Sequence, residues 1–187
     1  LDELVGWAER PEVGIVGAKL IRPDRSIQHA GLVIGLAGHG SHVFDGGPEV
    51  QDGPFGSSEW YRNYQAVTGA CLAVRRQVFE QLNGFDEIYR IGYGDIDLCL
   101  RAMDAGLRVI YNPFARVLHH EGATRGMNQP PSDVLRASVS MYPHIQAGDP
   151  YFSTNLSPYQ RIPTIARQLE PPITELILRI MRDFDLT

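Results

Sequence analysis

One apolar run near the start of the chain constrains the fold more than any other feature of the sequence. Residues 13–21 read VGIVGAKLI, and the valines and isoleucines are β-branched residues that favour strands. Because polar residues do not alternate through it, the run is typical of a strand buried on both faces of a sheet. Further strands are predicted at 27–36, 66–74 and 107–111, with a turn at Asn112-Pro113 and short helices at 1–10, 76–82 and 96–105. Strands that alternate with short helices predict an α/β fold with a mixed sheet.

Composition and charge exclude several classes of protein. A chain of 187 residues with 43% hydrophobic residues is long enough for one globular domain with a core. The net charge of −5 is modest, so nothing indicates a nucleic-acid partner. Cys71 and Cys99 lie in apolar segments without CxxC spacing, which is typical of reduced core cysteines in a reducing compartment. No apolar run reaches transmembrane length. The reduced cysteines predict a cytoplasmic location, with the inner face of the cell membrane as a further possibility.

Two long segments lack a clear pattern. Residues 37–64 are rich in Gly, Ser, His, Pro and Asp, which predicts a lid, a binding loop or a disordered segment. Within it, His39 and His42 are interpreted as parts of a mobile surface loop. After residue 126 the chain is rich in Pro, Ser and Tyr, and it ends in an amphipathic stretch at 173–184. We expect that stretch to pack on a neighbouring element, with a membrane-surface helix as the alternative.

Residues 92–101 read GYGDIDLCLR, and they place Asp95 and Asp97 at the start of a predicted helix. The helix dipole stabilises negative charge there, and a carboxylate held just outside the helix can act as a base or approach a metal. The alternative is that one of the two is the N-cap residue, and spacing alone leaves both open. Further on, His119 and His120 follow a predicted strand. Adjacent strand residues point to opposite faces, so only one of these imidazoles can line a given cleft.

A series of short segments between residues 16 and 157 occurs in a characteristic order. They are 16–20 (VGAKL), 27–31 (IQHAG), 62–76 (RNYQAVTGACLAVRR), 84–87 (GFDE), 95–101 (DIDLCLR), 119–126 (HHEGATRG), 149–152 (DPYF) and 155–157 (NLS). In this order the chain resembles the C-terminal half of inverting, family 2 glycosyltransferases of the GT-A fold. The resemblance is to the bacterial branch that includes rhamnosyltransferase-like enzymes of cell-surface polysaccharide synthesis.

The resemblance implies catalytic and metal-binding roles. Asp95 matches the general base, which removes the proton of the acceptor hydroxyl as the anomeric carbon is attacked from the face opposite the leaving nucleotide. Many relatives carry Glu, Asp or Asn just before this base, and here Gly94 stands in that position, which leaves the tuning of the base open. His119 matches the histidine that completes a site for Mn²⁺ or Mg²⁺, and is preferred to His120 for that reason.

Substrate recognition is expected to involve the loop that precedes residue 67. Aromatic planes there can pack on the faces of sugar rings, although core packing is favoured for Tyr64. Asp97 is expected to cap the helix or pair with Arg101 more readily than to touch substrate. Arg125 could bind a diphosphate, or could be a solvated loop residue. The predicted substrate-binding residues are Trp60, Asn63, Thr68, Gly69, Asp97 and Arg125.

The resemblance also implies that part of the enzyme lies upstream of residue 1. Full-length relatives begin with a nucleotide-binding half that ends in an Asp-x-Asp motif. Residues 95–97 have those letters but occupy the later position of the base. We therefore expect 1–128 to be the acceptor and catalytic-base half of a GT-A domain, with 129–187 a C-terminal helical extension. Alone, such a fragment should neither bind a sugar nucleotide tightly nor turn it over.

The expected partners are a nucleotide-sugar donor and a glycan or lipid-linked saccharide acceptor. The C-terminal tail could also contact a membrane surface or a second copy of the chain. An alternative function is a non-catalytic carbohydrate-binding or assembly module on the same scaffold. A metal-dependent hydrolase that uses Asp95, Asp97 and the histidine pair is disfavoured, because hydrolytic metal sites generally gather three or more protein ligands.

Overall fold

The computed structural model describes residues 1–120 and 129–183, apart from the side chain of Asp183. Within these residues, a mixed sheet forms the centre and five helices pack around it. The strands are β1 (Val13–Ile21), β2 (Ile27–His29), β3 (Leu32–Ile34), β4 (Gly40–His42), β5 (Asp52–Gly53), β6 (Gly56–Ser57), β7 (Arg62–Asn63), β8 (Leu72–Val74) and β9 (Arg108–Leu118). The helices are α1 (Asp2–Ala8), α2 (Arg76–Gln81), α3 (Gly94–Asp104), α4 (Pro131–Ala147) and α5 (Ile173–Asp183).

Strand β1 organises the sheet and confirms the prediction made for residues 13–21. All of its residues are buried, as its near-continuous apolar sequence indicates. Along one edge β1 pairs in parallel with β9, and β7 extends the sheet by pairing antiparallel to β9. Along the other edge β8 and β2 pair antiparallel to β1, one after the other. The sheet is therefore mixed, as predicted.

The turn predicted at Asn112-Pro113 is instead a bulge within β9. The pairing with β1 jumps from Ala18–Asn112 to Lys19–Arg116, so residues 113–115 have no partner on β1. The Asn112 side-chain oxygen accepts hydrogen bonds from the backbone N–H groups of Phe114 (2.9 Å) and Ala115 (3.3 Å). The local turn chemistry read from the sequence is thus present, but the strand resumes after it.

The strand predicted at 27–36 is divided into β2 and β3 by Gly31. Its φ of +109° is one that residues with a side chain rarely adopt, and a Cβ atom there would overlap the Tyr64 ring. Beyond the break, β3 pairs with β4 rather than with the main sheet. In the same way, only the end of the predicted strand at 66–74 is regular, as β8.

We expect Gly31→Ala to lower the free energy of unfolding by about 2–3 kcal/mol, from backbone strain together with overpacking against Tyr64. Urea denaturation of the variant measures this loss. Gly6→Ala is the matched control, because a Cβ atom on this α1 residue meets nothing within 4 Å, and a helical Gly→Ala change is neutral or stabilising. Equal stabilities of the two variants would contradict the expected strain.

Much of segment 37–64 packs into the core, so its prediction as a disordered segment is wrong, and a role as a lid or binding loop stays a prediction. Phe44, Phe55 and Tyr64 are buried and stack in sequence, with ring centroids 6.0 and 6.3 Å apart. The surface-loop interpretation of the two histidines is also wrong. His39 is buried and its Nε2 lies 2.6 Å from Ser138 Oγ, while His42 Nδ1 donates to the Gln28 carbonyl at 2.8 Å. Contacts with distant parts of the chain order this segment.

The C-terminal helices share the core of the sheet. Met141 and Ile145 of α4 and Ile177 of α5 are buried in the same hydrophobic cluster as Ile15 of β1. The expectation that the last amphipathic stretch packs on a neighbour is therefore confirmed. The division of the chain at residue 128 stays a prediction. Among the described residues, no helix combines the length and apolar character needed to cross a bilayer.

Candidate functional site

Asp95 lies in the first turn of α3. The helix is entered through Tyr93, which occupies the N-cap position in the left-handed conformation with φ of 70°. Gly94 follows as the first helical residue, so Asp95 and Asp97 both lie inside the helix. The interpretation of either aspartate as the N-cap is therefore wrong. No side chain among the described residues caps this helix terminus.

The Asp95 carboxylate joins α3 to the segment that leads into β8. Its Oδ2 accepts a hydrogen bond from the Gly69 backbone N–H at 2.7 Å, and its Oδ1 accepts one from Ile96 N–H at 2.9 Å. A Cβ atom at Gly69 would lie only 3.2 Å from Asp95 Cβ, so the glycine permits this close approach. The structure thus brings together two of the predicted site residues. Each carboxylate oxygen keeps a further lone pair for a substrate.

Thr68 adjoins this contact but its side chain turns inward. Its hydroxyl oxygen accepts from Ala70 N–H at 3.4 Å, and its own N–H donates to His29 Nε2, also at 3.4 Å. Burial, with a smaller effect of His42, lowers the pKa of His29 well below its ordinary value. The imidazole is therefore neutral and able to accept. In the sequence, the only signal for His29 is its place in the matching segment at 27–31.

The pairing predicted between Asp97 and Arg101 is confirmed. Arg101 Nε and Nη2 lie 2.9 and 2.6 Å from the same Asp97 oxygen. Arg101 also donates to the carbonyl of Leu82 and, at 2.9 Å, to that of Gly84. The ion pair therefore fixes α3 against the turn that follows α2, and a role of Asp97 in substrate binding stays a prediction.

The aromatic candidates lie near the opposite edge of the sheet, on the segment that forms β7. Trp60 is 58% exposed, and its ring stacks beside the Arg62 guanidinium at 5.4 Å from the centroid. Asn63 uses its side-chain oxygen to accept from Arg108 Nε at 3.0 Å. Tyr64 is fully buried, which confirms core packing and raises the pKa of its hydroxyl. Of these residues, Trp60 has the largest exposed aromatic surface that a sugar ring could contact.

His119 and His120 follow β9 and differ in exposure, as alternation along a strand predicts. His119 is half-buried, and its backbone N–H donates to the Ile21 carbonyl at 2.9 Å, whereas His120 is exposed. The Nδ1 atom of His119 is buried and has no hydrogen-bond partner among the described residues. Arg125, the predicted diphosphate ligand, lies outside the described residues.

His119 is the candidate metal ligand among the described residues. In residues 1–120 and 129–183, no three His, Cys, Asp or Glu side chains form a group able to hold a metal ion. The unpartnered imidazole nitrogen of His119 could supply one ligand, although Mn²⁺ and Mg²⁺ prefer oxygen donors, which a diphosphate would add. Within the described part of the chain, the fit to Mn²⁺ or Mg²⁺ therefore rests on this single side chain.

Comparison with known sequences gives a consistent picture. Residues 55–123 match a family described as the N-terminal domain of galactosyltransferase. The chain is 44% identical over 160 residues to an O-antigen biosynthesis protein of Myxococcus xanthus, which is 84% of this chain and 12% of that protein. It is 31% identical over 156 residues to the N-acetylglucosaminyl-diphospho-decaprenol L-rhamnosyltransferase of Mycobacterium tuberculosis (strain H37Rv), which is 76% of this chain and 48% of that protein.

A further match covers a shorter part of the chain. The chain is 42% identical over 52 residues to a rhamnosyltransferase of Escherichia coli K12, which is 28% of this chain and 20% of that protein. No solved structure matches the chain significantly. The chain spans about half, or less, of the length of these relatives. The matched region at 55–123 contains Trp60, Gly69, Asp95 and His119, and together these similarities relate the chain to the glycosyltransferases.

Proposed function

We propose that the protein is an inverting glycosyltransferase of the GT-A fold, with Asp95 as its general base. The observation that carries the proposal is the Asp95 carboxylate, half-buried at the start of α3 and oriented by the Gly69 and Ile96 N–H groups. A base must be held in a fixed direction to meet the proton that it removes. Two backbone hydrogen bonds from two different elements provide that direction.

In the proposed reaction, the acceptor hydroxyl donates a hydrogen bond to Asp95 and then gives up its proton to it. The hydroxyl oxygen forms a bond to the anomeric carbon of the donor sugar. On the opposite face, the bond between that carbon and the diphosphate oxygen breaks, so the nucleoside diphosphate leaves and the configuration is inverted. Positioning and proton removal are the contributions of this chain's own residues.

A bound Mn²⁺ or Mg²⁺ would neutralise charge on the leaving diphosphate. His119 is the residue of this chain that would hold it, because its Nδ1 is buried without a partner among the described residues. On the acceptor side, the exposed ring of Trp60 offers a surface on which a sugar ring can pack. In the proposal these two residues bind the metal and the acceptor sugar, and neither supplies the base.

The substrates are proposed from the names of the relatives. One is named for O-antigen biosynthesis and two are named rhamnosyltransferases, so nucleotide-activated rhamnose is the first donor to test. A glycan or lipid-linked saccharide in cell-surface polysaccharide synthesis is the proposed acceptor. A lipid-linked acceptor would bring the protein to the inner face of the cell membrane, with nucleotide sugars supplied from the cytoplasm.

The complete protein with Mn²⁺ is expected to transfer a sugar from one of a panel of nucleotide sugars to a diphospholipid-linked saccharide. Nuclear magnetic resonance of the product should show an anomeric configuration opposite to that of the donor. Residues 1–187 alone are expected not to bind nucleoside diphosphates in isothermal titration. A product of retained configuration would contradict the mechanism. Glycan binding without nucleoside diphosphate binding by the complete protein would support the carbohydrate-binding module instead.

A further inference from the structure

A fully buried carboxylate contacts the loop that precedes the proposed base. Asp133, in the first turn of α4, has no exposed surface. One of its oxygens, Oδ2, accepts hydrogen bonds from three consecutive backbone N–H groups, those of Arg90 (3.0 Å), Ile91 (2.9 Å) and Gly92 (3.1 Å). Successive backbone N–H groups that converge on one anion form a nest, so Asp133 imposes this backbone geometry on the loop.

Other residues near Asp133 attach α4 to the same loop. Arg136 Nη1 donates to the Ile88 carbonyl at 2.7 Å, and the hydroxyls of Tyr89 and Ser140 lie 2.9 Å apart. The side chain of Gln129 lies against Gly92, where an added Cβ atom would come within 3.1 Å of it. Helix α4 therefore contacts residues 88–92 along their whole length, and Asp133 makes the greatest number of hydrogen bonds.

This loop leads directly into the helix that carries the base. Gly92 is followed by Tyr93 in the left-handed conformation, and α3 then begins. Because no described side chain caps that terminus, the direction of the first turn depends on the backbone that precedes it. Fixing residues 90–92 fixes where the Asp95 carboxylate meets the Gly69 N–H.

We propose that Asp133 is a positioning residue for Asp95, which it orients through the backbone of residues 90–92. The inference rests on the proposed function, because it gives Asp133 a purpose only if Asp95 is the base. Apolar contacts of Ala137 and Met141 already hold α4 on the core, and they would do so without a buried charge. A buried carboxylate is costly unless it is fully hydrogen-bonded.

The protonation of Asp133 agrees with this role. Burial acts to raise the pKa of its carboxyl, but the hydrogen bonds from Ile91, Gly92, Arg90 and Ser132 together outweigh burial, and the pKa lies below its ordinary value. The group is therefore charged near neutral pH. A charged acceptor binds backbone N–H groups more strongly than a neutral one does.

The test compares Asp133→Ala and Asp133→Asn in the complete protein with Asp104→Asn, the same chemical change at an exposed position near the end of α3. Asp133→Ala is expected to lower kcat for transfer about 10- to 100-fold with little change in KM, because it misplaces the base without removing a binding group. The kcat of Asp133→Asn should lie between those of Asp133→Ala and the unmodified protein, because its amide oxygen can still accept the three N–H hydrogen bonds but carries no charge. Asp104→Asn should retain the original kcat.

Hydrogen exchange at Arg90, Ile91 and Gly92 provides a second readout that is independent of activity. Faster exchange in Asp133→Ala with an unchanged kcat would overturn the positioning role. Unchanged exchange rates at these three amides would show that Asp133 does not order the loop. If the unmodified protein transfers no sugar, the proposed function fails, and exchange alone then decides whether Asp133 orders the loop. Should Asp133→Ala fail to fold, Arg136→Met, which removes the contact to Ile88, is expected to lower kcat in the same direction.

Discussion

Replacing Asp95 by Asn in the complete protein is expected to lower kcat for sugar transfer by about 10²- to 10⁴-fold, the usual contribution of a general base. The amide has nearly the size of the carboxylate, and its oxygen can still accept the hydrogen bond from Gly69 N–H. It cannot, however, take the proton of the acceptor hydroxyl. Substrate binding and stability should therefore change much less than the rate.

Initial transfer rates at saturating donor and acceptor measure the loss, and thermal unfolding shows that the variant is folded. Asp104→Asn serves again as the control because it makes the same change at an exposed position of the same helix. If Asp95→Asn and Asp104→Asn transfer sugar equally fast, Asp95 is not the base. Its contact with Gly69 would then be only a structural link between α3 and the segment before β8.

The features that could be predicted from sequence are those encoded by neighbours along the chain. The burial of β1 follows from a continuous apolar run, and α3 follows from helical spacing. The pairing of Asp97 with Arg101 follows from their separation of four residues on one helix face. The turn chemistry of Asn112 is equally local, so the sequence predicts it although the strand continues beyond the turn.

The features that could not be predicted depend on residues far apart in sequence. His39 meets Ser138, and the Ile34 N–H meets Asp149 Oδ2 at 3.0 Å, across more than ninety positions in each case. A window of sequence around residue 39 contains only polar and small residues, so it predicts a loop. Burial came instead from α4 and from the segment after it, which supply partners for these polar groups.

The candidate site was predictable in its residues and less so in its geometry. The sequence predicts both Asp95 and Gly69 as site residues, but their hydrogen bond joins two parts of the chain that the sequence does not place side by side. The N-cap alternative was wrong because Tyr93 adopts a left-handed conformation that is uncommon for a non-glycine residue. Asp133 gave no signal at all, since a lone Asp after two prolines reads as an ordinary helix start.

A cluster of ion pairs around the buried Lys19 is expected to contribute strongly to stability. Lys19, in the middle of β1, has no exposed surface, and its ammonium group contacts the Glu59 carboxylate and the Glu49 carbonyl, the latter at 2.6 Å. Arg116 of β9 approaches the same two residues, pairing with Glu59 and lying 3.1 Å from the Glu49 carboxylate. Glu59 therefore neutralises a lysine that the fold removes from water, and it precedes the exposed Trp60.

We expect Glu59→Gln to lower the free energy of unfolding by about 3–5 kcal/mol near neutral pH, because it leaves the Lys19 charge buried without its carboxylate. Urea denaturation measures this loss. Glu80→Gln is the matched control, since Glu80 pairs with Arg76 at the surface and an exposed pair contributes at most about 1 kcal/mol. A Glu59→Gln variant no less stable than the control would show that the remaining groups satisfy Lys19.

The loss in Glu59→Gln should also depend on pH in a defined direction. Burial lowers the pKa of Lys19 below its ordinary value of 10.5, and the Glu59 hydrogen bond partly opposes this effect. Removing Glu59 should lower the pKa further. Between the folded and unfolded pKa values the unfolded chain binds more protons, so stability rises with pH as Lys19 becomes neutral. The loss in free energy of unfolding relative to the unmodified protein should thus be greatest near neutral pH and shrink as the pH approaches the ordinary lysine pKa. A loss that grows with pH would mean that the buried ammonium is not its cause.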